Sequence, residues 1–181
     1  MRKLFFIYLI INQKQLIMEM NFGILALAAL VPMVIGFVWY GPLFGKTWMD
    51  QMGFTEEFLK EANMFVVMGL SLVLSFILAL MVQFLVIHQL GVMGTLMPSG
   101  ATELTGDSLQ LYNDIMAKYG DAHRSFKHGA LHGALGGAFF ALPILAIQAL
   151  FERKSAKYIF INVGYWVLTL ALMGGIICQW A

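Results

Sequence analysis

Charge is what this sequence has least of. Asp, Glu, Lys and Arg make up 12% of its 181 residues, about half of the roughly 25% usual in a soluble globular domain. So few charges cannot cover the core that a 60% apolar chain would build in water. The net charge is +1, so neither a broad basic field nor an acidic one exists, and nucleic acid is not expected as a partner. A single cysteine, Cys178, excludes an internal disulfide and leaves the redox compartment open. Also missing are the motifs of common chemistries. There is no nucleophile elbow, no phosphate-binding glycine loop followed by Lys-Ser/Thr, and no carboxylate pair within an apolar run. Ser71 and Ser75 lie in an apolar helix without a base and read as backbone-bonding residues. No catalytic residue, metal or cofactor is assigned from the sequence.

What the chain has instead is apolar length, enough for a single all-α domain built as a four-helix transmembrane bundle. The first span is expected over 21–40, uncharged, with Trp39 and Tyr40 at headgroup depth and Gly41-Pro42 as its stop. Pro32 lies inside it and predicts a kink. The second span is expected over 64–90, 27 uncharged residues, about 40 Å of helix that must tilt or project. The third is expected over 129–151 and the fourth over 158–180, with Trp180 at the far interface. Only a short charged turn, Glu152 to Lys157, joins them, which makes the two helices antiparallel neighbours. Thirteen methionines fit irregular packing between helices or against lipid.

Between spans one and two the composition turns charged. Thr55 can cap a short helix with Glu56 and Glu57 in its first turn, and Phe54 and Leu59 are spaced as a hydrophobic staple. With Trp48, Met49, Met52 and Phe58 this predicts a short interfacial amphipathic helix. Between spans two and three, Pro98-Ser99-Gly100 marks a loop. A further short helix, capped by Asp107 or Ser108 and ending at Gly120, presents Leu109, Tyr112, Ile115, Met116 and Tyr119 on one face.

Residues 1–19 read differently from the domain at 20–181. Arg2 and Lys3 precede only eight apolar residues, and no small-x-small cleavage site follows. This stretch is expected to be an over-extended start or an interfacial arm, with Met18 and Met20 as alternative starts. Orientation depends on it. Lys118, Arg124 and Lys127 on one side face Lys46, Lys60, Arg153, Lys154 and Lys157 on the other, which places both termini outside. Counting Arg2, Lys3 and Lys14 reverses the balance.

Three groups of residues stand out within the spans. Gly129, Gly133, Gly137 and Ala141 recur every four residues, a groove of small residues that admits a second backbone. A helix of the same chain is the first expectation for what fills it. His128 and His132, four apart on one helix face, meet His88 from span two in a polar layer with Cys178 and Gln179 near the chain end. The spacing can present two imidazoles to a metal, with His123, Asp121 or His88 as third ligand, although interfacial hydrogen bonding explains these histidines more simply. A second layer holds Gln148, Glu152, Arg153, Asn162 and Tyr165, with Trp39, Tyr40 and Lys46 at the same depth. Asn162 is expected to bond Gln148 across helices, a clasp of about 0.6 kcal/mol on average in membranes.

Two stretches carry a family likeness. One is Gly36-Phe-Val-Trp-Tyr-Gly-Pro-Leu-Phe-Gly-Lys-Thr-Trp-Met49, continuing through Gly53-Phe-Thr-Glu-Glu57. The other is Ala141-Leu-Pro143, Leu150-Phe-Glu-Arg153, Ile161-Asn-Val-Gly-Tyr165, Met173-Gly-Gly and Trp180. Together they resemble the uncharacterised bacterial membrane family called domain of unknown function 1761, over about Met20 to Trp180. The resemblance implies a compact four-span protein beginning near Met20 and supplies no reaction; a bacterial inner membrane is the expected location. The chain departs from the family pattern in a longer loop between spans two and three, and in Gln148 where an Asn is expected. Three functions follow as expectations. First comes an assembly or stress-adaptation factor acting through helix packing. The alternative is a small-solute or ion permeation protein lined by the histidine layer, with a homo-oligomer left open. The third is a metal-dependent membrane enzyme.

Overall fold

In the computed structural model, which describes residues 20–181 apart from Thr102, each long helix starts at a small polar residue that caps it. Asn21 accepts from the Ile24 amide at 3.1 Å and Asn63 from Val66 at 3.3 Å. Ser125 accepts from His128 at 3.3 Å and Ser155 from Tyr158 at 3.1 Å. Each cap satisfies one of the amides that the first helical turn leaves without a partner. The helices so started are α1 (Phe22–Leu43), α4 (Met64–Val86), α7 (Phe126–Phe151) and α8 (Ala156–Trp180), all long and apolar enough to cross a membrane. Shorter helices connect them: α2 (Gly45–Met52), α3 (Glu56–Lys60), α5 (His88–Leu96) and α6 (Gly106–Tyr119). Among the described residues there is no strand. The N-terminal arm and its start-site expectation lie outside the described residues.

Helix α8 is the centre of the molecule, packing against α1, α4 and α7. The interior is mainly apolar: Leu25, Ala28, Ala79, Val86, Met173, Ile177 and Cys178 are essentially inaccessible, with Gln83 and Thr169 buried among them. The outer surface is the reverse of a soluble protein's. Phe65 and Phe151 are 93% and 87% exposed, a cost in water but not against acyl chains. The integral membrane reading of the composition therefore agrees with the arrangement of the helices. Toward the α2 end, α1 and α4 separate and leave a cleft of about 610 Å³ facing Tyr165.

Several boundaries differ from those the sequence suggests, each for a local reason. Gly41-Pro42 interrupts α1 as expected: within the π turn over Trp39–Leu43, Gly41 lies at φ −100°, ψ −105°, outside the helical region, so the chain kinks there before it leaves the helix at Phe44. Pro32 acts as expected: the helix is interrupted at Leu30, and the proline sits in the first turn of the resumed segment, where its missing amide is tolerated. The interfacial segment holds two helices rather than one. α2 precedes α3, and Gly53 between them takes the left-handed conformation at φ 71°. Thr55 caps α3 from the Phe58 amide at 3.2 Å, and Phe54 stacks on Phe58, centroids 4.7 Å apart.

The second span ends four residues early. Ile87 is extended at φ −107°, ψ 95°, so α4 stops at Val86 and a separate helix, α5, begins at His88. At 23 residues α4 measures about 35 Å and fits a bilayer with modest tilt. The third span starts three residues earlier than expected, at Phe126, and carries a π turn over Gly137–Ala141 just before Pro143. The α6 helix is flanked by Thr105 rather than capped by Asp107 or Ser108, and its buried face is anchored by Tyr112.

Gly129, Gly133 and Gly137 face α8. A Cβ on Gly129 would collide with the Gly174 carbonyl and Cys178, and one on Gly133 with the Leu170 carbonyl. The two backbones touch because neither helix has side chains in between. Ala141 falls at the end of the π turn and is only half-buried. The partner of the groove is a helix of the same chain.

Candidate functional site

All four histidines of the chain gather at one end of the helices. His128 and His132 occupy the first turns of α7, one above the other, ring centroids 4.4 Å apart. His88 reaches them because α4 breaks at Ile87. As the first residue of α5, its ring stands 5.0 Å from His128 and 4.9 Å from His132. His88 Nε2 and His128 Nε2 are 2.8 Å apart, a hydrogen bond in which one ring donates and the other accepts. Ligand nitrogens from His88, His128 and His132 all lie within 4.8 Å of one another. In a tetrahedral zinc site with bonds of about 2.0–2.1 Å, two nitrogens stand about 3.3 Å apart, so small ring rotations bring these three to one ion.

His123 comes from the loop ahead of α7. Its ring is 4.9 Å from His128 and 6.3 Å from His88. Its backbone is left-handed, φ 63°, uncommon for any residue with a side chain. Neither His123 nor Asp121, the other candidate ligands, supplies an atom to the group of three.

His88 lies outside the long helices. Loss of solvent, and after it the rings of His132 and His123, holds it below the ordinary histidine range. That shift favours the neutral imidazole, the form that binds metals.

The floor beneath the cluster is closed. Val86, Ile177 and Cys178 are buried, and the Cys178 thiol donates to the carbonyls of Val86 at 3.4 Å and His123 at 3.3 Å. Its sulfur links the end of α4 to the His123 loop. Gln179 accepts from the Phe126 amide at 3.0 Å, which fixes the start of α7 against the end of α8. The residue that sequence reasoning missed is Gln89. Buried beside His88, its side-chain nitrogen lies 3.1, 2.9 and 2.9 Å from the carbonyls of Tyr119, Gly120 and Ala122, which share its two N–H donors. Its one legible signal was a glutamine inside an otherwise apolar run. Arg124 donates to the Ala181 carbonyl.

The second polar layer does not form as one group. Asn162 does not meet Gln148. It accepts from the Tyr40 hydroxyl at 2.8 Å and donates to the Tyr158 carbonyl at 2.8 Å. Gln148 donates instead to Glu152, four residues on in the same helix, at 3.0 Å. Tyr165 donates to the Pro32 carbonyl at 2.9 Å, and Trp39 to the Ile161 carbonyl at 3.0 Å. Arg153 takes a left-handed backbone, φ 55°, where the chain turns into α8. This end joins α1 to α8 by aromatic side chains, and no set of acid, base and nucleophile converges there.

No curated protein and no solved structure matches the chain. A family model does: the one described as "Protein of unknown function (DUF1761)" matches residues 24–178. That match runs from the first turn of α1 to the buried cysteine of α8, through both ends of the molecule, and the chain belongs to this family.

Proposed function

We propose that this protein binds a transition-metal ion at one face of the membrane, in a bacterial inner membrane, through His88, His128 and His132. The observation that carries the reading is the convergence of three imidazoles from two separate helices within 4.8 Å. The donor set is all nitrogen. It suits zinc, copper(II), nickel or cobalt and offers little to magnesium or calcium, which prefer oxygen. Two further observations rank it above the other functions. The glycine groove that an assembly factor would use is filled by α8 of the same chain. The floor under the histidines is packed with buried residues of the same chain, which favours binding at the face over permeation. The placement in a bacterial inner membrane rests on the family resemblance in the sequence.

The test is metal content. Purified protein in lipid nanodiscs, equilibrated with zinc and freed of excess, is expected to retain one ion per chain. The combined His88→Ala, His128→Ala and His132→Ala variant is expected to retain none. Wild-type protein that elutes free of metal, or a variant that holds as much, would end the reading.

A further inference from the structure

We infer that His123 is the fourth arm of the histidine site, so that a bound metal is enclosed by four imidazoles and pins the segment between α5 and α7 to the membrane helices. The inference rests on the metal-binding reading above and deepens it, because three ligands and four ligands imply different sites. Three leave a position open to water or substrate; four close the ion off, as in structural and storage sites.

The geometry around His123 is that of a residue held in place. Its carbonyl accepts from the Cys178 thiol, and the residues before it are fixed by Gln89 through the Tyr119, Gly120 and Ala122 carbonyls. The residue after it, Arg124, is tied to the carbonyl of Ala181, and Ser125 caps α7. These bonds hold the left-handed turn at φ 63°. A side-chain-bearing residue takes that conformation at a cost and keeps it only where the surroundings insist. The outcome is a ring 4.9 Å from His128, nearer than His88 is to the same ring at 5.0 Å. Its longer separation from His88, 6.3 Å, is the gap that a rotation of the exposed side chain closes when an ion draws the nitrogens together. The last ligand then arrives by side-chain motion, from a ring already beside His128.

Closure has a mechanical consequence. His123 ends the excursion that contains α5 and α6, so the fourth bond crosslinks that excursion to α7.

Cobalt(II) is the probe, since its visible absorption distinguishes four-coordinate nitrogen sites from sites of higher coordination. The variant is His123→Asn, because asparagine tolerates the left-handed backbone; His123→Gly serves as a second variant that relieves it altogether. Loss even of a group outside the ligand shell costs about 10–100-fold in affinity, so both variants are expected to bind cobalt at least about tenfold more weakly. Both are expected to shift the visible band, because water takes the place of one imidazole, and metal is expected to slow amide exchange over residues 119–124 in the wild type only. Variants with the wild-type spectrum and affinity would sink the fourth ligand and leave the three-histidine site standing. Wild-type protein that binds no cobalt would sink both.

Discussion

Nε2 of His88 and Nε2 of His128 lie 2.8 Å apart although forty residues separate them in the chain. The contact exists because one extended residue, Ile87, ends α4 and turns the next side chain toward α7. A helix continued through this point would have carried residue 88 around by the ordinary 100° step and along the membrane normal. The site is thus a product of a helix break, and its assembly can be disturbed from both sides of that break.

The shared hydrogen bond predicts a titration. In metal-free protein the His88 ring is expected to titrate below its usual 6.5, because lost solvent and then the rings of His132 and His123 disfavour its charge. Replacing His123 with Asn removes one of the rings that disfavour charge on His88, so the His88 value is expected to rise. Nitrogen-15 detected NMR of labelled histidine reads both. A His88 value at or above the usual range would contradict the geometry.

Gln89 predicts a local loss of order. Gln89→Ala removes a donor shared by the Gly120 and Ala122 carbonyls. Faster amide exchange is expected over residues 119–124, with α8 unaffected. Unchanged exchange there would mean that the loop is held by something other than this side chain.

The glycine contact predicts a sharp contrast between two equivalent substitutions. Gly133→Ala drives a methyl into the Leu170 carbonyl and is expected to destabilise by about 1–3 kcal/mol. Gly69→Ala, in α4 with nothing within 4 Å, is expected to be neutral or to gain slightly from helix propensity. Reversible unfolding in mixed detergent measures both. Equal effects would show that α7 and α8 are not in backbone contact.

The other end of the molecule predicts coupling. Tyr40→Phe and Asn162→Ala each remove one side of a hydrogen bond between α1 and α8, worth about 0.6 kcal/mol on average in a bilayer. Their combination is expected to cost less than the sum. Additive losses would mean that the pair does not interact.

Much of this architecture was readable in the residues, and the limits have physical causes. The four spans follow from uncharged runs and their polar boundaries, so their existence was plain to within a few residues. The break at Ile87 was not, because the sequence there holds neither proline nor glycine, and an isoleucine-histidine pair fits an unbroken helix equally well. The π turns at Trp39–Leu43 and Gly137–Ala141 shift helical phase by part of a turn. Phase decides which polar side chains meet, which is why Asn162 faces Tyr40 and not Gln148. The histidine layer was visible as residues at one depth. Its convergence was not, since depth follows from counting while azimuth depends on packing. His123 stood among the candidates only as a neighbour in sequence, and its left-handed backbone has no signature in its residue type.

The central place of α8 carries a consequence for biosynthesis. The helix against which the other three rest is the one that follows them in the chain. As the chain is made, α1, α4 and α7 enter the bilayer before their common support exists, and the α7 glycine face meets lipid until α8 arrives. A ribosome stalled within the α7–α8 turn would hold three inserted but unsupported helices, the kind of intermediate that membrane proteases and insertion chaperones recognise. Completion of the fold is timed by emergence of the fourth helix.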